Sequence, residues 1–226
     1  LWSDEGPAEY KGKFWNVNIP DSKEWEWAKL RHFIRPFQKP HPPIGVAGAS
    51  PSSETLKIAG EKGYIPMSLG LGPAYIASHW DAVLEGADRG GRNPPPRSDW
   101  RLVRDMWIAE TDEEAISATR NGMLFRTWNE YLYPLFNYGP YPLVAGMKHD
   151  NSVLTEDVTV EYMLEHLWLV GSPDTVAEKI RHLYEVSGGF GVLLSMVLDH
   201  VDDKDGWAKS MRLLTEEVLP QVADLK

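Results

Sequence analysis

Residues 44–50 read Ile44-Gly45-Val46-Ala47-Gly48-Ala49-Ser50, a run of small and apolar side chains with no in–out alternation. A continuous run of this kind marks a strand buried on both faces. Ser52, Ser53 and Thr55 follow at once and supply the hydroxyls that open a helix, which runs to about Lys62 and stops at Gly63. The same unit then repeats. Tyr64–Leu69 is a second buried strand. A helix follows from about Ala74 to Asp88, with Ile76, Trp80, Val83 and Leu84 on one stripe, and Arg89-Gly90-Gly91-Arg92 with three consecutive prolines ends it. Trp100–Ala109 is a third strand, and Thr111-Asp112-Glu113-Glu114 starts a helix with acids in its first turn.

A fourth unit lies further on. Ser172 caps, Pro173 takes the first helical position, and Val176, Ile180, Leu183 and Tyr184 share one face. Gly188 and Gly189 end that helix, Phe190–Leu198 is a strongly apolar strand, and a last helix spans about Asp205 to Val222, with Trp207, Met211, Leu214 and Val218 inward. Strands alternating with helices four times predict an α/β fold, with a parallel sheet covered by helices. Two stretches depart from this rhythm. In residues 1–43, Tyr10-Lys11-Gly12-Lys13-Phe14 reads as a tight turn between short extended pieces, and Pro36, Pro40, Pro42 and Pro43 form a linker. Residues 126–165 hold Trp128, Tyr131, Tyr133, Phe136, Tyr138 and Tyr141 among Pro134, Pro140 and Pro142.

Composition bounds the partners. The 226 residues carry a net charge of -10 and no cysteine. The charge argues against nucleic acid or an anionic membrane as partner. The missing thiols exclude disulfides, thiolate metal sites and a cysteine nucleophile. No apolar run reaches the roughly 18 residues of a membrane span and no signal-peptide pattern opens the chain, so a cytoplasmic protein is expected. With 42% hydrophobic residues the chain can build a packed core. Ten tryptophans, nine tyrosines and six phenylalanines fit that core, an interface or a greasy cavity.

Four units are too few for a complete eight-unit barrel, which takes about 250 residues. Leu1-Trp2-Ser3-Asp4 reads as the tail of an earlier helix, so the chain is expected to be the C-terminal part of a longer protein. A self-contained four-stranded domain is the competing reading. An opened barrel exposes two strand edges, which predicts association with the rest of the barrel or with a second copy as a homodimer.

Three stretches carry a resemblance. They are Pro7-Ala8-Glu9-Tyr10-Lys11-Gly12-Lys13-Phe14-Trp15 with Gln38-Lys39-Pro40 and Pro42–Gly48, then Ala59-Gly60-Glu61-Lys62-Gly63-Tyr64 after the serine-rich helix start, then Val170–Ile180 closed by Gly191-Val192-Leu193-Leu194. In this order the chain resembles the bacterial luciferase-like, flavin-dependent monooxygenases, over the second half of their (β/α)8 barrel. The resemblance implies a single domain over residues 1–226, supplying about the last four β/α units, with 126–165 as a lid-like insertion. It also implies reduced FMN from a separate flavin reductase, O2, a C4a-peroxyflavin, and one oxygen delivered to a small hydrophobic substrate of terpene, cyclic-ketone or aldehyde type.

Barrel active sites lie beyond the C-terminal ends of the strands. Gly48, Ala49, Ser50, Ser52, Ser53 and Thr55 therefore form the candidate phosphate site, where small residues lead into hydroxyls and free N–H groups at a helix start. An ordinary helix cap accounts for the same residues. Pro66-Met67-Ser68-Leu69-Gly70 matches the family position against the isoalloxazine, with Met67 as an apolar face and Ser68 as a hydrogen-bonding group; a plain core strand is the alternative. Trp128, Tyr131 and Phe136 are the candidate substrate contacts of the lid, or else a packing patch. The seven histidines show no metal-ligand spacing, so no metal is expected. His149-Asp150 reads as a polarised pair or as solvated surface, and His200 with Asp199, Asp202 and Asp203 as a cation loop or solvated acids. No catalytic residue is assigned. The rivals are a deazaflavin-dependent hydride-transfer enzyme of the same fold and a non-catalytic half-barrel binding protein.

Overall fold

The computed structural model describes residues 8–19, 36–139 and 142–225. Leu1–Asp4, Pro7, Pro140 and Tyr141 lie outside the described residues. The chain divides into two compact units, residues 1–44 and 45–226. In the first, the expected tight turn is present. Strands β1 (Ala8–Lys11) and β2 (Asn16–Ile19) pair antiparallel, and the Gly12 N–H donates to the Trp15 carbonyl.

The second unit holds the α/β architecture. Strands β3 (Gly45–Gly48), β4 (Ile65–Leu69), β5 (Arg101–Arg104) and β8 (Val192–Ser195) form one parallel sheet in the order β3-β4-β5-β8. Helices α1 (Glu54–Lys62), α2 (Ile76–Arg89) and α7 (Pro173–Ser187) accompany it. The caps follow the sequence. Thr111 accepts from the Glu114 N–H at the start of α3 (Asp112–Asn121), Ser172 from the Thr175 N–H, and Gly63 and Gly188 close α1 and α7 with left-handed backbones.

The third predicted strand is two strands, with Asp105 between β5 and β6 (Met106–Ile108). β6 pairs in parallel with β7 (Leu169–Gly171), a strand the sequence reading passed over. The described strand–helix units therefore number five rather than about four, split between a four-stranded and a two-stranded sheet with no closed barrel. Residues 123–136 run as one helical stretch. It comprises α4 (Met123–Thr127), a wider π-type turn at Trp128–Leu132 and α5 (Tyr133–Phe136). Helix α6 (Val160–His166) closes the insertion, and α8 (Lys204–Leu213) follows the last strand.

Strand register separates two faces of the larger sheet. Ala47, Met67, Arg101 and Val192 stand side by side on one face, while Gly48, Ser68, Leu102 and Leu193 occupy the other. Leu102 packs with Leu56, Ile76, Trp80, Val83 and Leu183, so the second face is the helix-covered one. A second core gathers Trp107, Trp128, Met147, Met163 and Trp168 beneath the insertion.

Helices α1 and α2 touch backbone to backbone. A Cβ added at Gly86 would sit 1.9 Å from the Lys57 carbonyl oxygen, and one at Gly60 would sit 2.1 Å from that of Val83. Gly86→Ala is therefore expected to cost about 2 kcal/mol and to lower the thermal midpoint by roughly 5 °C. An unchanged midpoint in a melting curve followed by circular dichroism would show that the helices do not meet there.

Asp105 is 6% exposed, and its Oδ1 is without a hydrogen-bond partner. Burial raises its carboxyl to about 6, and the neighbouring Trp128 indole and Arg104 charge offset only part of that. The folded state thus holds this proton more tightly than the unfolded chain. Stability from this group is present at acid pH and is lost as pH rises from about 4 through 6, a loss of roughly 3 kcal/mol. Asp105→Asn removes the titration. Its stability relative to the parent, from urea unfolding at pH 4.5 and 7.5, is expected to be greater at the higher pH; a gap independent of pH would refute the raised carboxyl.

Candidate functional site

The loop after β3 is built for close approach. A Cβ at Gly48 would lie 2.6 Å from Ser53 Oγ and 2.7 Å from Leu56 Cγ, so only glycine lets α1 begin this near the strand. Ser52 adopts a left-handed backbone, φ 51°, which turns the chain from the strand into the helix. Ser50, Ser52 and Thr55 are exposed, Ala49 is half-buried, and Gly48 and Ser53 are buried. The Thr55 hydroxyl donates to the Ala47 carbonyl at 2.6 Å, which leaves the Ser53 hydroxyl to donate to Thr55 Oγ1 at 2.8 Å. Two of the predicted hydroxyls thus brace the loop. Ser50 and Ser52 remain exposed beside the start of α1, where a helix leaves its first N–H groups without intrahelical partners, the donor set a phosphate needs.

Helix α2 holds this loop from below. The Ser52 N–H donates to Ser78 Oγ at 3.3 Å, and the Ser78 hydroxyl donates to the Tyr75 carbonyl. His79 is fully buried, and its Nε2 lies 2.8 Å from the Ser50 carbonyl. A carbonyl only accepts, so Nε2 carries the proton and Nδ1 is an acceptor. Ser68 Oγ, 2.8 Å from Nδ1, is then the donor, and it accepts in turn from Trp100 Nε1 at 2.8 Å. Burial lowers the His79 pKa, outweighing its bond to Ser50, and the Arg104 charge lowers it further. The ring stays neutral and the chain of bonds keeps one direction.

This network decides where Met67 and Ser68 stand. Adjacent in β4, they face opposite sides. Met67 lies half-buried on the open face beside Ala47 and Arg101. Ser68 lies fully buried among the helices, both of its roles taken by His79 and Trp100. The sequence reading placed them together; the structure does not.

The candidate substrate residues are also dispersed. Trp128 is 3% exposed, with Phe136 edge-on at 5.6 Å and Trp168 at 5.7 Å, whereas Tyr131 is 63% exposed. The insertion nonetheless reaches the strand ends. The Gly72 N–H donates to the Gly146 carbonyl, the Ala74 N–H donates to the Lys148 carbonyl, and Gly146 lies close to Pro51. Residues 143–148 therefore sit on the loops that leave β3 and β4.

His149 and Asp150 are exposed, as in the solvated reading, and so are Asp199, Asp202 and Asp203. His149 Nδ1 meets the Tyr162 hydroxyl at 2.6 Å and its ring stacks on His166 at 4.2 Å, while Asp150 accepts from Ser152. His200 is buried against Trp107 and Trp207. Among the described residues no group of three or more histidines and carboxylates is arranged to hold a metal ion. No helix among them is long and apolar enough to cross a membrane.

Five candidates escaped the sequence reading: His79, Arg101, Arg104, Asp105 and Lys179. His79 sits one residue before Trp80 on the buried stripe of α2, where only the periodicity marks it as inward. Arg104 and Asp105 interrupt an apolar strand. Two adjacent charges in such a run are the one signal available, because charges are seldom fully buried without a role.

A family model described as luciferase-like monooxygenase matches residues 1–189. The chain is 31% identical to the 3,6-diketocamphane 1,6-monooxygenase of Pseudomonas putida, over 98% of its own length and 58% of that protein's. It therefore spans less than two thirds of this relative. A solved structure, the oxygenating constituent of 3,6-diketocamphane monooxygenase from Pseudomonas putida in complex with FMN, superposes with a TM-score of 0.77 at 32% identity. The match covers 95% of this chain and 58% of that one. A coenzyme F420 dependent reductase from Methanopyrus kandleri shares the fold, with a TM-score of 0.61 at 20% identity over 95% of this chain and 58% of that one. With a braced hydroxyl loop at the end of its first parallel strand and a family match over most of its length, the chain belongs to the luciferase-like monooxygenases.

Proposed function

We propose that this chain forms part of an FMN-dependent monooxygenase that delivers one atom of O2 to a cyclic, terpene-type ketone, with reduced flavin supplied by a separate reductase. The observation that carries the reading is the loop Ser50–Thr55, braced by Thr55 and His79 and presenting hydroxyls and helix-start N–H groups. Its support is the likeness to a relative whose solved structure holds FMN.

The residues present fit the cofactor. Ser50, Ser52 and the first turn of α1 would take the phosphate, and Gly48 and Ala49 would allow the close approach. Met67 offers an apolar, polarisable surface to a flat ring. Arg101, in register with Met67 on the open face, has a buried Nε without a partner and would donate to a polar ring edge. Ser68 supports the site at one remove, by setting the His79 tautomer that holds the Ser50 carbonyl. Reduced FMN, when bound, supplies the oxygen-transfer chemistry; the protein binds, orients and excludes water. The insertion 126–165 serves as the lid, since its 143–148 turn rests on the strand-end loops. Tyr131, exposed on the π-type turn, is free to meet substrate, with Trp128 and Phe136 as its packed base.

Flavin fluorescence quenching on the full-length natural protein tests the site. Thr55→Ala is expected to raise the FMN dissociation constant about ten-fold by releasing the loop. His79→Gln is expected to weaken FMN by a similar factor while the chain stays folded. Binding of a deazaflavin in place of FMN would point to hydride transfer, and binding of neither would sink the enzymatic reading. With a reductase, reduced FMN and a bicyclic terpene ketone, one atom of 18O from labelled O2 is expected in the product; an unlabelled product would exclude the oxygenation.

A further inference from the structure

Arg104 is 4% exposed, deep for a guanidinium, and its NH1 and NH2 donate only to the backbone carbonyls of Val103 and Leu71. Lys179, which lines the same cavity, is half-buried on α7 and donates to the carbonyls of Trp168 and Val170 at 3.1 and 3.0 Å. Among the described residues neither cation has a carboxylate within ion-pair distance; the buried Asp105 beside Arg104 in the chain acts on it only through space. Buried charges are ordinarily paired, because the desolvation cost is otherwise uncompensated. Both groups line the same cavity of about 320 Å³, a volume at the small end for a ligand site.

The rest of the cavity wall has two characters. Pro73, Leu167, Leu169 and Leu183 make it apolar, while exposed His166, Glu178 and His182 form the polar mouth. Glu178 is the one acid on this wall. The other acids that act on Lys179, Asp112 and Glu165, line an adjoining groove that shares Lys179 and Thr175 with this cavity. In a protein of net charge -10, two inward cations over an apolar chamber form a local reversal of sign.

We propose that this cavity, bounded by Arg104 and Lys179, binds a small organic carboxylate, with the headgroup on the two cations and the apolar body against Leu167, Leu169 and Leu183. The planar fork of Arg104 suits a carboxylate, and its unbonded N–H groups are the donors that the two carbonyls leave over. The apolar wall favours a chain-bearing acid over a bare inorganic anion. The site is distinct from the Ser50–Thr55 loop and stands whether or not the flavin reading does.

Calorimetric titration of the full-length protein with hexanoate, hexan-1-ol and inorganic phosphate tests the assignment. Hexanoate is expected to bind at one site per chain, more tightly than phosphate, with hexanol silent. Lys179→Gln is expected to weaken hexanoate about ten-fold, and Arg104→Met to abolish its binding. Should Arg104→Met fail to fold, the Lys179→Gln variant carries the test together with added chloride, which must weaken hexanoate. Equal binding of hexanoate and hexanol, hexanoate binding untouched by Lys179→Gln, or phosphate binding more tightly than hexanoate would each overturn the proposal.

Discussion

The bond from His79 Nε2 to the Ser50 carbonyl is the constraint on which the strand-end geometry depends. It is one link of a chain that begins at the Trp100 indole, passes through the Ser68 hydroxyl and ends on the loop after β3. Each donor in that chain has one acceptor available, so the proton positions are fixed by exclusion. Breaking any link would strand a buried polar group, at a cost of about 1–3 kcal/mol. The chain ties three neighbouring elements, β4, the approach to β5 and α2, to the loop after β3, whose Ser50 and Ser52 are exposed. A protonated imidazole would need an acceptor where Ser68 now donates. Burial, which lowers the His79 pKa, thereby protects the direction of the whole network.

The glycines on the same side of the sheet meet a related demand. Gly48 allows Ser53 and Leu56 to close over the end of β3, and Gly60 and Gly86 let α1 and α2 meet backbone to backbone. Helices this close leave no room for water at their crossing. The stripe of α2 that bears His79 and Trp80 is pressed against Trp100 and Leu102, with Trp80 and Trp100 centred 5.3 Å apart. The hydrogen-bond chain and the tight helix pair therefore support one another: packing excludes the water that would compete for the bonds, and the bonds satisfy the polar groups that packing buries.

Much of this architecture was legible in the sequence, for reasons that can be named. The runs at 44–50, 64–69 and 190–198 lack the two-residue alternation of an antiparallel strand and fold as parallel strands, and Ser172-Pro173 and Thr111–Glu114 are cap patterns whose bonds form as read. β7 escaped because three residues carry no periodicity, and Val170-Gly171 merged with the adjoining cap at Ser172. The break at Asp105 was hidden inside an apolar run. Met67 and Ser68 were read as neighbours along the chain, although the strand period places them on opposite faces. The hydroxyls of Ser53 and Thr55 were recognisable as helix-start groups, but their commitment to each other and to Ala47 is a fact of three-dimensional distance.

The insertion shows how one compositional signal divides once it folds. Its aromatic residues were read together as a lid, yet Trp128 and Phe136 spend their surface on a core with Trp168 while Tyr131 stays in solvent. In the lid role proposed for it, the insertion needs both kinds of residue. It needs an anchored base that keeps the element from sliding, and a free edge that can meet a ligand. The wider turn at Trp128–Leu132 separates the two, since an added residue in a helical turn rotates the downstream side chains relative to the upstream ones. The polar backbone contacts of residues 146 and 148 with the loop after β4 then fix where the anchored part rests. Composition marks such a segment as aromatic; the helical phase decides which rings hold it down and which remain available.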